Sequence, residues 1–425
     1  MKKIVILGAG TGGVMSAHHL RKKLSPQEWE ITVIDKNSLH YYQPGLLFLP
    51  FRFRGYKELS DISRPIRTLL PKGVDFVNSE IIEIAHQNNQ VKTKAGDFQY
   101  DWLVSSLGCR IIPEQIDGMM DGYEKNVFDF YTPKGAIKIQ RALERFEKGK
   151  LVFNIAEYPI KCPVAPIEFV FLADYYFHKK GIRDKVEIKL VTPLTGAFTK
   201  PIASKVFTEI AKEKGIKITT DFSLGEVDFV NKKIKSYTKQ EVDYDLLVAI
   251  PPTEGAEVIE NSGLGNGAGY IRTDKQTLKA IGHDNIYSIG DGTDLLTSKA
   301  GSVAHFESEV MIKNLLSEIK GEEPTAKFDG HSNCFIESGF NKALLIDFNY
   351  KVEPVPGKFP FPVIGPFSLL KETRINHQGK LGFRWAYWNQ LLTCKLPGDP
   401  ILTNRCSPRG KKVSMLKDGK SLFGV

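Results

Sequence analysis

The first 36 residues alternate between short apolar runs and a helical pattern of apolar and polar positions. The run at residues 4–7 leads into glycines, then into TGGVMSAHHLRKKL with apolar residues at helical spacing, then into WEITVIDK. Short apolar runs predict buried strands, and a spacing of three and four predicts a helix packed on them. Residues 2–36 are therefore predicted to form a compact βαβ unit.

The same alternation continues along the chain. The run DWLVSSLG ends near residue 110 and is expected to return to the first sheet. A second α/β stretch follows, with helices near 133–148 and 165–180 and strands at LVFNIA and VEIKLVT. Near residue 243, DYDLLVAIPP repeats the pattern of DWLVSSLG, so we expect re-entry into the first domain, where NIYSIGDGTDL supplies another strand. This alternation is typical of the α/β class.

Four segments follow from this pattern. Two interleaved Rossmann-like domains are predicted, in which the first is built from 1–110 and 243–325 and the second from 111–242. From about residue 325 aromatics, prolines and basic residues dominate, and 326–425 is predicted to be a separate C-terminal module.

Composition narrows the class of protein. The chain has 425 residues, 42% hydrophobic and 25% charged, and no stretch approaches the ~18 uninterrupted apolar residues that a spanning helix needs. The start MKKIVILGAG has too short an apolar run for a signal peptide. The formal charge of +9 comes from scattered lysines, which favours a solvated surface and argues against nucleic acid as a partner.

The glycine turn after the first strand carries the first chemical signal. Gly8, Gly10 and Gly13 form GxGxxG between strand and helix, where backbone amides can approach a pyrophosphate. Asp35 ends the second strand, the position of a carboxylate that binds ribose hydroxyls. We therefore predict dinucleotide binding, and a late strand ending in Gly290 and Asp291 favours FAD over NAD.

The equivalent turn of the second domain differs. The strand KLVFNIA runs into EYPIKCPVAP, and no glycine lies between Lys150 and Lys180. A pyrophosphate cannot approach such a turn in the usual way, so the electron donor is predicted not to be a nicotinamide. Cys162 stands in this turn before a helix, whose N-terminal partial charge is expected to lower the pKa of the thiol. The competing interpretation is a buried, inert cysteine.

These motifs resemble the flavoprotein sulfide:quinone oxidoreductases over most of the chain. The similar segments are LGAGTGG with Asp35, HYYQP, IKCPVAPIEF, IPP at 250–252, SIGDGTDLLTSKAG, FDGHSNCFIESG, and FNYKVEP followed by YWNQLL. The resemblance implies that Cys162 and Cys334 flank a flavin. It further implies that sulfide attacks a disulfide or polysulfide between them, and that two electrons pass through FAD to a membrane quinone. Thiolates and disulfide sulfurs suit this chemistry without a metal.

The chain departs from the pattern of the family at one position. Some members carry a third cysteine before the mid-chain turn, where this chain reads NVFDFYTPKG. Schemes that need that cysteine, or a flavin tethered to it, are therefore not expected here. Cys109, Cys394 and Cys406 are interpreted as core or surface thiols.

Further site residues are predicted beside these motifs. Lys299 is expected to open a helix aimed at the flavin pyrimidine, with an exposed lysine as the alternative. Glu168 is a candidate proton relay, and His40 either transfers protons or holds its loop by hydrogen bonds. Gln43 and Gly108 complete the predicted cofactor contacts.

The C-terminal module is predicted to hold the quinone and to contact the membrane. Aromatic faces bind a flat apolar ring well, and the candidates are Phe335, Phe340, Tyr387 and Trp388. The apolar, lysine-flanked stretch KFPFPVIGPFSLLK is expected to lie among lipid headgroups, with a partner protein's groove as the alternative. We therefore predict a peripheral membrane protein on the cytoplasmic side, and a homo-oligomer is one assembly that it could form.

Three other functions share these features. The flavoprotein subunit of a flavocytochrome c sulfide dehydrogenase would use both cysteines and pass electrons to a haem protein. An NADH:quinone oxidoreductase is disfavoured by the missing second glycine turn. A non-catalytic flavin redox sensor would use the cysteines to switch a partner interaction.

Overall fold

The computed structural model describes residues 1–360, 365–395 and 411. The strands, in chain order, are β1 Lys2–Leu7, β2 Trp29–Asp35, β3 Leu39–Tyr41, β4 Ser63–Pro65, β5 Asp75–Asn78, β6 Ile81–Ala85, β7 Gln90–Thr93, β8 Gly96–Gln99, β9 Trp102–Ser105, β10 Arg110–Ile111, β11 Val127–Phe128, β12 Gly149–Ile155, β13 Val186–Val191, β14 Lys217–Thr219, β15 Leu224–Asp228, β16 Lys233–Ser236, β17 Glu241–Asp243, β18 Leu246–Ile250, β19 Thr253–Glu254, β20 Ile286–Ser288, β21 Ser332–Gly339, β22 Lys342–Phe348, β23 Gly357–Phe359 and β24 Phe367–Leu369.

The two longest α-helices, α5 (Ala165–Lys180) and α8 (Gly301–Ile319), pack against the sheets. In chain order they are α1 Thr11–Lys23, α2 Pro44–Phe48, α3 Met119–Gly122, α4 Pro133–Arg145, α5 Ala165–Lys180, α6 Pro201–Glu213, α7 Glu257–Asn261, α8 Gly301–Ile319 and α9 Arg374–Ala386. A π-helical turn, Tyr387–Leu391, continues α9.

Two five-stranded parallel sheets form the framework. The first has the order β20-β9-β1-β2-β5 and the second β11-β18-β12-β13-β14. Their strands are near-continuous apolar runs because helices cover both faces of such sheets. Each sheet carries a three-stranded antiparallel meander, β6-β7-β8 beside the first and β15-β16-β17 beside the second. The predicted α/β class with two Rossmann-like domains is confirmed.

The expected point of return to the first domain is placed too early. The run predicted to re-enter at residue 243 forms β18, which pairs in parallel with β12 of the second sheet from Leu246 to Ile250. β18 is the counterpart of β9, which pairs with β1 as predicted. A buried strand has the same apolar pattern in either sheet, so the sequence pattern could not show whether β18 belongs to the first sheet or to the second. The chain leaves the second sheet only after Ile250.

The C-terminal module is a four-stranded sheet, β21-β22-β24-β23, with α9 lying against it. One continuous buried apolar cluster joins the three sheets, including Ile6 of β1, Phe153 of β12 and Leu344 of β22. Since this core is shared, the module is fixed against both α/β units. Among the described residues, no helix combines the length and apolarity needed to cross a bilayer.

Candidate active site

One cavity of about 1220 Å³ runs between the three sheets. The glycine turn after β1 lines it, together with the thiols of Cys162 and Cys334 and with Phe335, Phe359, Phe383 and Tyr387 of the C-terminal module. The sequence elements predicted to act together therefore open onto a single space.

The glycine turn leaves backbone exposed to this cavity. A Cβ on Gly13 would come within 1.8 Å of the Gly8 carbonyl oxygen, so β1 and α1 can pack this closely only without a side chain. At Gly10, which precedes α1, a Cβ would meet no atom within 4 Å. The position faces open space at a helix N-terminus, which suits a phosphate.

Asp35 braces the same turn. Its carboxylate accepts the Ala9 amide at 2.8 Å and the Asn37 amide at 2.7 Å, and it lines the cavity at the end of β2. Gln43, Gly108, Gly290 and Asp291, all predicted cofactor contacts, line the cavity as well. The open turn, the carboxylate and the volume of the cavity fit an FAD, whose isoalloxazine ring, when bound, accepts two electrons.

Lys299 lies in the cavity wall but its ammonium group is already engaged. It donates to the carbonyl oxygens of Asp291 at 3.0 Å and Thr293 at 2.7 Å, and it is buried. The Lys299 carbonyl accepts the amide of Cys162 at 2.7 Å. The residue precedes α8, as predicted, and it ties the late strand β20 to the cysteine turn.

The two cysteines meet although they come from different elements. Cys162 lies in the turn between β12 and α5 with a positive φ of 46°, and Cys334 lies in β21. Their thiols are in hydrogen-bond contact. The hydrogen bond from Cys162 lowers the pKa of Cys334, Lys380 lowers it further, and burial opposes both.

The pKa of Cys162 moves the other way. Its hydrogen bond to Cys334 and its burial both raise the pKa. The prediction that the N-terminus of α5 would lower it is wrong, because α5 begins three residues later and the thiol is enclosed beside a second sulfur. Of the two thiols, Cys334 is therefore the one whose ionised form its surroundings favour.

A buried ion pair lies beside the cysteines. The Lys380 ammonium donates to Glu168 Oε1 at 2.8 Å and to the Phe335 carbonyl at 2.6 Å. Burial raises the pKa of Glu168, and Lys380 opposes this shift. Burial would lower the pKa of Lys380, but Glu168 and Cys334 outweigh it and raise the pKa. Glu168 is thus where the sequence placed it, while its partner Lys380 was missed.

Of the two roles predicted for His40, proton transfer and holding its loop by hydrogen bonds, the structure supports the second. Its Nδ1 hydrogen-bonds the Ala9 carbonyl at 2.8 Å and its Nε2 the Tyr387 hydroxyl at 2.6 Å. Tyr387 also shares a 2.8 Å hydrogen bond with Thr11 of α1. Burial lowers the pKa of His40, which keeps the ring neutral. These bonds join the glycine turn to the C-terminal module.

Only two of the four predicted quinone aromatics line the cavity. Phe335 and Tyr387 do so. Phe340 is 41% exposed and packs on Tyr175 near the end of α5, and Trp388 packs under Arg64. Phe383, which was not predicted, takes their place in the lining. Its only sequence signal is the helical spacing of HQGKLGF, which sets Lys380 and Phe383 on one face of α9.

Among the described residues, Cys109 and Cys394 are free thiols that do not pair with the site cysteines. Burial, with Asp291 nearby, raises the pKa of Cys109 to about 12, although it lines the cavity. Cys394 contacts the Met15 carbonyl, and burial raises its pKa to about 12. Cys406 lies outside the described residues.

Comparison with known proteins agrees with this geometry. The sequence profile of the pyridine nucleotide-disulphide oxidoreductase family matches residues 2–148. The chain is 26% identical to a mitochondrial sulfide:quinone oxidoreductase of Mus musculus, covering 92% of this chain and 86% of that one. It is 29% identical to that of Dictyostelium discoideum, covering 95% and 88%.

A solved structure extends the likeness to the fold. The sulfide:quinone oxidoreductase of Aquifex aeolicus superposes with a TM-score of 0.76 at 19% identity, covering 99% of both chains. The resemblance found in the motifs is therefore confirmed over most of the chain. The family match and these relatives confirm FAD as the cofactor.

Proposed function

We propose that this protein is a sulfide:quinone oxidoreductase, which oxidises sulfide at Cys162 and Cys334 and reduces a quinone with FAD as the intermediate acceptor. The observation that carries the proposal is the contact of these two thiols inside the cavity that begins at the glycine turn. The similarity to mouse and Dictyostelium sulfide:quinone oxidoreductases supports the same substrates.

The cysteine pair supplies the sulfur chemistry. In the oxidised state a disulfide or a bridging sulfur joins the two cysteines, and sulfide attacks it. One S–S bond forms and another breaks, so that one cysteine holds a persulfide and the other leaves as a thiolate. Lys380 stabilises the thiolate charge on Cys334, since its ammonium group lowers that pKa.

The part of the cavity that the C-terminal module lines is the proposed quinone site. Phe335, Phe383 and Tyr387 offer aromatic faces to a flat ring, and Lys380 brings a proton donor to the same space. Glu168 holds Lys380 in place at 2.8 Å and can exchange a proton with it. Quinone oxygens that gain electrons need protons, and this pair is placed to supply them.

The second turn argues against nicotinamide as donor. Tyr158 and Ile160 are packed in the core cluster, and the amide of Cys162 is bound by Lys299. Little backbone is left to receive a pyrophosphate there. This observation favours the sulfide reaction over an NADH:quinone oxidoreductase.

Membrane contact is proposed for the outer face of α9. Ile375 is 54% exposed and Trp385 is 62% exposed, and the basic residues Lys371 and Arg374 are exposed beside them. Apolar and aromatic side chains flanked by cations suit the headgroup region. Part of KFPFPVIGPFSLLK, residues 361–364, lies outside the described residues. Vesicle flotation of Trp385→Ser against the natural protein tests the contact, and the cytoplasmic face and any homo-oligomer stay predictions.

The anaerobic half-reactions test the main proposal. The purified flavin-loaded protein is mixed with sulfide, or separately with NADH, and flavin absorbance is followed before a short-chain quinone is added. We expect bleaching by sulfide and its reversal by quinone. Bleaching by NADH alone would assign an NADH:quinone oxidoreductase. If sulfide bleaches the flavin and only a haem protein reverses the bleaching, the chain is the flavoprotein subunit of a flavocytochrome c. If neither sulfide nor NADH bleaches the flavin, the result favours a non-catalytic redox sensor.

A further inference from the structure

We propose that Gly379 determines how wide a quinone ring the site accepts, because it leaves room for the Phe335 side chain to lie against α9. Gly379 is thus a positioning residue, which acts on the substrate through the aromatic ring of Phe335. The inference rests on the proposed function, since it concerns the quinone that this function reduces. The observations that carry it are the contacts that a side chain at residue 379 would make.

Gly379 lies inside a helix, where glycine is less favourable than alanine. It belongs to the interior of α9, Arg374–Ala386. A left-handed backbone conformation, which would call for glycine, is not found at this residue. The glycine therefore serves the space around it and not the conformation of its backbone.

An alanine at this position would collide with two aromatic rings. Its Cβ would lie 2.6 Å from Cε1 of Phe367, 2.7 Å from Cζ of Phe335 and 2.9 Å from Cε1 of Phe335. Carbon atoms of neighbouring side chains pack at about 3.5 to 4.0 Å, so the Phe335 ring would have to move by about 1 Å. A Cβ on Gly382, later in the same helix, would meet no atom within 4 Å. The collision is therefore particular to residue 379.

The open space beside the Phe335 ring is the cavity. The backbone of Phe335 is fixed in β21, where it pairs with Leu345 of β22, and its carbonyl accepts the Lys380 ammonium at 2.6 Å. Phe367 flanks the ring edge-on, with 5.1 Å between the ring centroids. Phe335 lines the cavity, whereas Gly379 and Phe367 lie behind it. A side chain at residue 379 therefore pushes the Phe335 ring into the cavity.

The Phe335 ring is part of the aromatic wall of the proposed quinone site, together with Phe383 and Tyr387. When it moves inward, it takes space from the substrate. The loss weighs most on quinones with a second fused ring or bulky ring substituents, because a narrow quinone leaves the most free space. By holding Phe335 back, Gly379 admits the wider rings.

Steady-state reduction of a series of short-chain quinones by sulfide tests the inference. The series runs from benzoquinones with small substituents to naphthoquinones. The readout is kcat/KM for the widest quinone that the natural protein reduces, divided by kcat/KM for the narrowest. We expect Gly379→Ala to lower this ratio at least about tenfold, through KM and not kcat, because the substrate loses space. Gly382→Ala, on the same helix, should change the ratio by less than about twofold.

Second-site variants identify the ring that transmits the effect. In Phe335→Leu the smaller side chain leaves room for the new Cβ, so adding Gly379→Ala to it should change the ratio by less than about twofold. Phe367→Leu is the matched control, because it relieves the other collision but concerns a ring that lies behind the cavity wall. In that background Gly379→Ala should still lower the ratio about tenfold.

Phe335→Leu alone changes the same wall in the opposite direction. It widens the site, so the ratio should rise about threefold or more. An unchanged ratio in Phe335→Leu would overturn the inference even if Gly379→Ala failed to fold. Equal effects of Gly379→Ala in the Phe335→Leu and Phe367→Leu backgrounds would overturn it as well. If no quinone reoxidises the natural protein after sulfide has bleached its flavin, the proposed function fails instead.

Discussion

The turn at residues 8–13 and the turn at residues 156–164 occupy the same place in the two parallel sheets. Each follows the third strand in the order of its sheet, β1 in the first and β12 in the second, and each leads into a helix. In the first turn glycines leave open space at Gly10. In the second, apolar side chains fill the space and Cys162 takes the left-handed conformation.

The difference shows how one framework serves two tasks. The open turn exposes amides to a phosphate, whereas the filled turn engages its amide with Lys299 and presents a thiol. A turn loses its nucleotide site once side chains replace the glycines. In this chain the same position carries the thiol of Cys162, which lines the cavity. The comparison can be broken at either turn.

The largest expected effect is at the cysteine turn. Cys162→Ser and Cys334→Ser each remove one sulfur of the pair, so no S–S bond can form between them. We expect sulfide-dependent flavin bleaching to fall by roughly 10³-fold or more, as for other nucleophile deletions. FAD should remain bound, because the first turn is untouched. Stopped-flow absorbance measures both.

Cys394→Ser is the matched control, since that thiol lies by Met15 and away from the pair. It should bleach like the natural protein. If Cys162→Ser or Cys334→Ser were bleached by sulfide as fast as the natural protein, the assignment of sulfur chemistry to the cysteine turn would be refuted.

The next effect is at the glycine turn. Gly13→Ala places a Cβ 1.8 Å from the Gly8 carbonyl, so we expect a loss of at least about 3 kcal/mol in the free energy of unfolding. Gly10→Ala meets no protein atom and has an ordinary φ of −72°, so the fold should keep its stability. Its Cβ enters the phosphate space, however, and FAD affinity should fall about tenfold, or ~1.4 kcal/mol.

Denaturant unfolding of the apoprotein and fluorescence titration with FAD separate these outcomes. Gly382→Ala, on α9, also meets no atom within 4 Å and should change FAD affinity by less than about twofold. If Gly10→Ala bound FAD as well as Gly382→Ala does, the phosphate would have to lie elsewhere in the cavity.

Local patterns made the two turns readable from the sequence. The glycine spacing and the absence of glycine after β12 are contiguous signals, so the dinucleotide turn and its missing counterpart were predicted. Cys334 entered only through the family resemblance, because it belongs to a strand far from Cys162. The presence of two parallel sheets likewise followed from the alternation of strands and helices along the chain. The same alternation did not show to which of the two sheets β18 belongs.

The residues that were missed depend on tertiary packing. Lys380 meets Glu168 only because α9 lies against β21, and nothing around either residue signals the other. The direction of the Cys162 shift was predicted wrongly for the same reason. A helix N-terminus is visible in sequence, whereas burial beside a second thiol is a property of the assembled site.

A smaller effect is expected from Lys380, which acts on the cysteine turn through charge. Lys380 lowers the pKa of Cys334, so the thiolate persists to lower pH than for an ordinary thiol. Lys380→Met should raise that pKa by about one unit, and alkylation of Cys334 near pH 7 should slow about tenfold. Iodoacetamide labelling of the reduced protein across pH, read by peptide mass spectrometry, gives the midpoint.

Two further variants sharpen this measurement. Lys380→Met with Glu168→Gln removes the carboxylate left without its cation and should shift the midpoint in the same direction. Lys214→Met removes a half-buried lysine that lies over Phe340 instead, and should leave the midpoint unchanged. An unmoved midpoint in both Lys380 variants would mean that the hydrogen bond from Cys162 alone sets the pKa.

The smallest effect concerns how the glycine turn is held by the C-terminal module. Tyr387→Phe removes the hydroxyl that hydrogen-bonds both His40 and Thr11, leaving a buried ring nitrogen without its partner. We expect a loss of ~1–2 kcal/mol in the free energy of unfolding. His40 and Ala9 then lose a fixed position, so FAD should dissociate about twofold to fivefold faster.

Tyr244→Phe, in the second unit, removes only a 3.5 Å contact to Asn126 and serves as the control. It should leave FAD dissociation unchanged. Equal dissociation rates in the two variants would show that the glycine turn is held by its own sheet and needs no tie to the C-terminal module.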